Sequence, residues 1–208
     1  MADFPRPVRF GGNEFEAFQG GDDPAAVLRT AHDTARALLS RARDADDPEV
    51  VERLVHYTDH HGIDAVAELW ARSSAHSLPG SLWRIYLVRV LIRQDPDGVA
   101  LLFQRGTEVL RTIDPVVAGA PLPAGPAEIT DLADRILRGV FEGDFAIALE
   151  RAAAFCRVTA AGAVSIADDQ EAANPERATE LTTRAQRLIT TADELTACAR
   201  MSRADTLD

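Results

Sequence analysis

The sequence predicts an all-α fold, with about nine helices in antiparallel hairpins forming an orthogonal bundle or a short helical-repeat-like array. Two observations predict it. First, Asp23-Pro24, Asp47-Pro48, Asp95-Pro96, Asp114-Pro115 and Asn174-Pro175 each precede an apolar run of helical period. An Asp or Asn side chain caps the free N–H groups of a helix start, and proline suits the first helical position because that position needs no donor. Second, no stretch alternates apolar and polar residues as a half-buried strand does.

Taken in order, helices are expected at 24–43, 48–60, 63–74, 79–94, 96–105, 107–118 (with Pro115 as a candidate break), 126–141, 144–167 and 175–202. Gly62, Gly106 and Gly143 stand where turns or C-caps belong. The segment 119–126, GAPLPAGP, is the clearest linker, and 167–174, ADDQEAAN, is a polar connector. The expected organisation is an N-terminal arm, 1–21, and a single helical domain, 22–208, with a candidate subdivision at 119–126. In 82–92, LWRIYLVRVLI, apolar residues occur on every side, so neighbours must surround most of that helix. Its Arg84, Arg89 and Arg93 then need carboxylate partners or a route to water, because an unpaired buried charge is costly. In 144–167, alanine and Gly162 allow close approach of neighbouring backbones. Residues 64–73, DAVAELWARS, echo 97–106, DGVALLFQRG, with Trp70 matched to Phe103. Such an echo fits a duplicated α-hairpin, the unit of helical repeats, and also fits coincidence in a chain rich in alanine and leucine.

The chain has 208 residues, enough to bury a core, and carries 33 acidic against 22 basic groups for a net charge of -11. Lysine is absent, so every cation is arginine, and the arginines stand singly among acids. Nucleic-acid binding draws on clustered cations, so no direct nucleic-acid partner is expected. The most apolar stretch, Ile85 to Ile92, contains Arg89 and falls far short of the roughly 20 apolar residues that span a bilayer. No membrane partner is expected. The start, MADFPRPVRFGG, has no apolar core of the kind a signal peptide needs. Cys156 and Cys198, without CxxC spacing, fit buried thiols in a reducing compartment. The expected location is the cytoplasm.

Chemistry-bearing residues are few. His56 and His60 share a helix face, with Asp59 beside them. His61 and Asp64 follow, and His32-Asp33 lies on the preceding helix. Imidazoles and carboxylates in this pattern could hold a metal, so His56, Asp59 and His60 are the candidate ligands. No HExxH or ExxH signature accompanies them, and a solvated, C-capping histidine patch is the simpler expectation. No GxSxG nucleophile is present. Gly11-Gly12 and Gly20-Gly21 lack the lysine and the strand of a phosphate loop. No catalytic residue and no cofactor are expected.

Phe4, Phe10, Phe15 and Phe18 are half of the chain's 8 phenylalanines. On an extended arm they could anchor in a partner's pockets; folded back, they would cover the protein's own helices. Burial favours the second arrangement, since a ring left in water forfeits roughly 1.5–3 kcal/mol. Trp70, Trp83 and Tyr86 are expected in the core. In helix 175–202, Leu181, Leu188, Ile189 and Leu195 form a broken apolar stripe that could pack within the domain or on a second chain.

The stretches RPVRF (6–10), VERLV (51–55), LPGSLWRIYL (78–87), TIDPVVAGA (112–120) and AAAFCRVTAAGA (152–163) resemble a group of small actinobacterial proteins of unknown function. Members of that group often carry the name DNA-directed RNA polymerase subunit beta. Either that name is mistaken for the group or it reflects an association with transcription, and the resemblance transfers no functional residue. A polymerase beta subunit is many times longer and relies on lysine and arginine at its active site, whereas this chain has no lysine. The expected function is that of a non-enzymatic accessory or adaptor protein acting through a protein partner. The alternatives are a metal-binding bundle or metal-dependent enzyme centred on His56 and His60, and a self-assembling protein using its last helix.

Overall fold

A computed structural model describes residues 23–44 and 69–208. Seven helices are traced there: α1 (Pro24–Asp44), α2 (Leu78–Gln94), α3 (Pro96–Val109), α4 (Asp114–Ala118), α5 (Pro126–Glu142), α6 (Phe145–Gln170) and α7 (Pro175–Arg203). Residues 69–71 are also helical, and no strand occurs among the described residues. The fold is all-α. The expected helix 48–60, the first half of 63–74, the arm 1–21, the Asp47-Pro48 start and Gly62 lie outside the described residues, and the described part of 63–74 is helical only to Ala71. Residues 64–68 of the internal echo also lie outside them.

Asp or Asn side chains cap four starts, and Ser77 caps α2 by accepting from Gly80 N–H at 3.2 Å. The Asp23 carboxylate accepts from Ala25 N–H at 3.0 Å. Asp95 accepts from Gly98 N–H at 2.9 Å, Asp144 from Ala146 N–H at 2.8 Å, and Asn174 from Arg177 N–H at 3.1 Å. Each satisfies a donor that the helix itself leaves free. Asp114 departs from the pattern. It is already the first residue of α4, whose start has no side-chain cap. Its carboxylate instead accepts from Arg157 on α6 at 2.8 Å and from Thr112 at 2.7 Å.

Gly106 also departs from expectation. It does not end a helix, because α3 runs through it to Val109. A glycine inside a helix costs about 1 kcal/mol relative to alanine, so something must require it. The reason is on the neighbouring helix. A Cβ on Gly106 would overlap the Val158 carbonyl oxygen of α6, and one on Gly162 would overlap the Leu102 carbonyl oxygen of α3. The two glycines let α3 and α6 touch backbone to backbone. Gly143 follows α5 as its C-cap in extended conformation, and Gly119 ends α4 in the left-handed region, φ 76°.

Helix α6 is the hub, packing against α3, α4, α5 and α7. Its buried residues include Ala152, Ala153, Ala154, Ala160 and Ala163, so neighbours approach closely on several sides. Phe155 of α6 stacks on Phe103 of α3 at 5.5 Å between ring centres. The apolar core is one cluster with members before and after 119–126, and Ala124 within that segment belongs to it.

The arginines of α2 find carboxylates. Arg84 donates to Glu194 of α7, while Arg89 and Arg93 reach Asp134 of α5 at 3.2 and 3.3 Å. The Arg89 side chain is only 6% exposed, so a partner is required there. Leu181, Leu188 and Leu195 of α7 are buried, but Ile189 is 42% exposed and leaves the stripe. Trp70 is in the core, whereas Trp83 and Tyr86 are half-buried and stack on each other at 5.6 Å.

Candidate functional site

Helix α2 does not bury its whole circumference. Ile85, Val88 and Ile92 are buried, but Leu87 is 42% exposed and Leu91 is half-buried. This open side faces α7. The two helices run antiparallel, as their cross-links show: Arg84 meets Glu194 at one end, and Asp95 lies near Arg184 at the other. Between them is an open groove of about 660 Å³. One wall is Leu87, Val88 and Leu91. The other carries Thr179, Thr183, Arg187 and Thr191 in an i, i+4 row, with Glu180, Arg184 and Leu188 in the row beside it.

The polar groups of this groove are unevenly matched. Thr179, Thr183 and Thr191 donate their hydroxyl protons to carbonyls of their own helix at 2.9 Å. Glu180 accepts from Arg177 at 2.9 Å. Arg184, by contrast, has Nε and Nη2 buried with no hydrogen-bond partner among the described residues. Its Nη1 lies 3.8 Å from Asp95 Oδ2, beyond hydrogen-bond distance. Burial pulls the Arg184 guanidinium below its ordinary value, Asp95 opposes that shift, and Arg177 adds to it. A guanidinium with two unmatched donors beside an apolar wall is suited to bind an anion-bearing apolar ligand.

Other surfaces offer less chemistry. A shallow hollow of about 520 Å³ lies by Pro115, Gly119, Pro121 and Arg135, next to Val116 at 81% and Leu122 at 64% exposure. Among its described lining residues Arg135 is the one cation. A smaller hollow of about 350 Å³ is lined by Glu128, Asp131, Asp134, Arg135 and Arg138. There Asp134 already serves Arg89 and Arg93.

Neither thiol is poised as a nucleophile. Burial pushes the Cys156 thiol up to about 12, with Arg157 opposing. Burial likewise pushes Cys198 up to about 11, and its sulfur donates to the Ala75 carbonyl at 3.3 Å. Attack requires the thiolate, which burial disfavours at both positions. Among the described residues no three His, Cys, Asp or Glu side chains come together as a metal site. No helix of the described residues is long and apolar enough to cross a membrane.

The sequence-derived candidates fall elsewhere. His56, Asp59, His60, His61 and Asp64, and the arm residues Phe4, Phe10, Phe15 and Phe18, lie outside the described residues. His32 is half-buried and Asp33 exposed on α1. Arg184 was not singled out by sequence, although a signal exists: it lies three residues after buried Leu181 and four before buried Leu188, at the edge of the packed stripe. Glu180, four residues earlier, is its obvious helical partner, but pairs with Arg177 instead. No protein-family model, curated protein or solved structure matches the chain. What the groove binds has to be judged from its own side chains.

Proposed function

We propose that this chain is a non-enzymatic accessory or adaptor protein that acts by binding another protein, with the α2–α7 groove as its contact face. The observation that carries this proposal is that Arg184, whose buried Nε and Nη2 have no hydrogen-bond partner among the described residues, lines the same groove as the exposed Leu87. Buried polar groups in folded proteins are normally satisfied, and an open apolar face on a helix is normally covered. A binding partner would meet both demands at once. The resemblance to proteins named after a polymerase subunit makes the transcription machinery the first place to seek that partner.

The test is an affinity recovery from cells that make the protein, using the full chain, Leu87→Glu, Leu101→Glu and a version lacking residues 1–21. Leu101 is 61% exposed on α3 and serves as the surface control. The expected result is a defined protein recovered by the full chain and by Leu101→Glu but lost with Leu87→Glu. Equal recovery by both substituted chains would remove the groove from the proposal. Loss only on removal of 1–21 would transfer the binding role to the aromatic arm.

A further inference from the structure

We infer that the α2–α7 groove receives an amphipathic helix of a partner protein, and that a carboxylate on that helix seats on the Nε–Nη2 edge of Arg184. The inference rests on the groove being the contact face and adds the chemistry of what enters it.

The first support is the identity of the two unmatched nitrogens. Nε and Nη2 form one side of the guanidinium, the fork whose parallel N–H groups take both oxygens of a carboxylate. That side is buried and has no partner among the described residues. The nearest acid does not serve it: Asp95 approaches Nη1 instead, at 3.8 Å, and its other oxygen already caps α3 at 2.9 Å. The flexible arginine stem can turn the fork into the groove that the residue lines.

The second support is charge. The threonine hydroxyl protons are committed to α7's own carbonyls, and Glu180 is matched by Arg177. Among the described lining residues, the exposed Arg187, and Arg184 once its buried fork turns outward, are therefore the groove's donors, on a chain whose net charge is -11. A ligand that complements them brings acceptors with negative charge.

The third support is shape. From Thr179 to Thr191 the α7 wall extends roughly 18 Å at 1.5 Å per residue. Two neighbouring antiparallel helices present a trough into which the side-chain ridge of a third helix fits. A small carboxylic acid would fill one end and leave the Leu87 end open.

The experiment is a display selection against the full chain. It uses a library of helical peptides of about 16 residues, long enough to span the trough at 1.5 Å per residue. The library is apolar at i, i+3/i+4 spacing and randomised elsewhere. Enriched peptides are expected to share an Asp or Glu at a fixed offset from their apolar face. Their affinity should fall about tenfold or more for Arg184→Gln, for Arg184→Lys, which keeps the charge but not the fork, and for the peptide's own acid-to-amide change. Arg184→Met should leave the thermal midpoint unchanged or raised, whereas a residue that merely holds the fold together would lower it. Peptides that require Leu87 but carry no fixed acid and ignore Arg184→Gln would overturn the carboxylate and leave the groove. Peptides indifferent to Leu87→Glu, or no enrichment at all, would overturn both. Binding of sodium dodecanoate in the groove without any peptide enrichment would assign it to a small amphiphile and overturn the helix.

Discussion

Asp114 and Arg184 are two charges beside apolar packing with opposite outcomes. Burial pushes the Asp114 carboxyl up, but hydrogen bonds from Arg157 and Thr112 and the Arg157 charge outweigh it and hold the group below its ordinary 3.8. The ionised form therefore stabilises the fold. Its contribution is complete above 3.8 and disappears as pH falls through the lower folded value. Acid titration followed by circular dichroism should show Asp114→Asn losing about 1–2 kcal/mol at neutral pH. That deficit should shrink as the pH falls through the folded value. Gly162 makes a second residue-scale prediction, and its sign is decisive. Helix propensity alone says Gly162→Ala should stabilise by about 1 kcal/mol. The overlap of its Cβ with the Leu102 carbonyl says it should destabilise by about 1–3 kcal/mol, because α6 and α3 must separate. Chemical denaturation is expected to show the loss.

Among the elements, helix starts were the most legible feature, because capping is local chemistry. The starts of α1, α3, α5 and α7 fall on the proline predicted for each, at 24, 96, 126 and 175. Replacing Asn174 with alanine should cost about 1 kcal/mol by thermal denaturation, as removal of a cap does. Asp114→Ala should act instead through Arg157, so combining it with Arg157→Ala should be strongly non-additive. The misread elements share one cause. Gly106 looked like a turn because the helix that needs its missing side chain begins far along the chain, at Phe145. Asp114 looked like a cap because Arg157, its partner, is equally remote. In 82–92 the pattern implied neighbours around most of the helix, and the side the described residues leave open is at Leu87.

For the whole molecule, the all-α class was legible from patterning, and the central place of α6 followed from its alanines. The groove was not. It lies between α2 and α7, which are distant in sequence and run side by side. The sequence showed a charged last helix but not that Glu180 would pair with Arg177 and leave the Arg184 fork unmatched. The histidine cluster and the aromatic arm remain expectations, separate from the groove. The most direct measurement of the central claim is site-specific photocrosslinking in living cells, with a benzophenone amino acid at Leu87 in the groove or at Leu101 on α3. The account predicts a discrete protein adduct from position 87, absent from position 101 and removed by Arg184→Gln. Adducts of the same proteins from both positions, or an adduct from 87 that persists unchanged in Arg184→Gln, would contradict it.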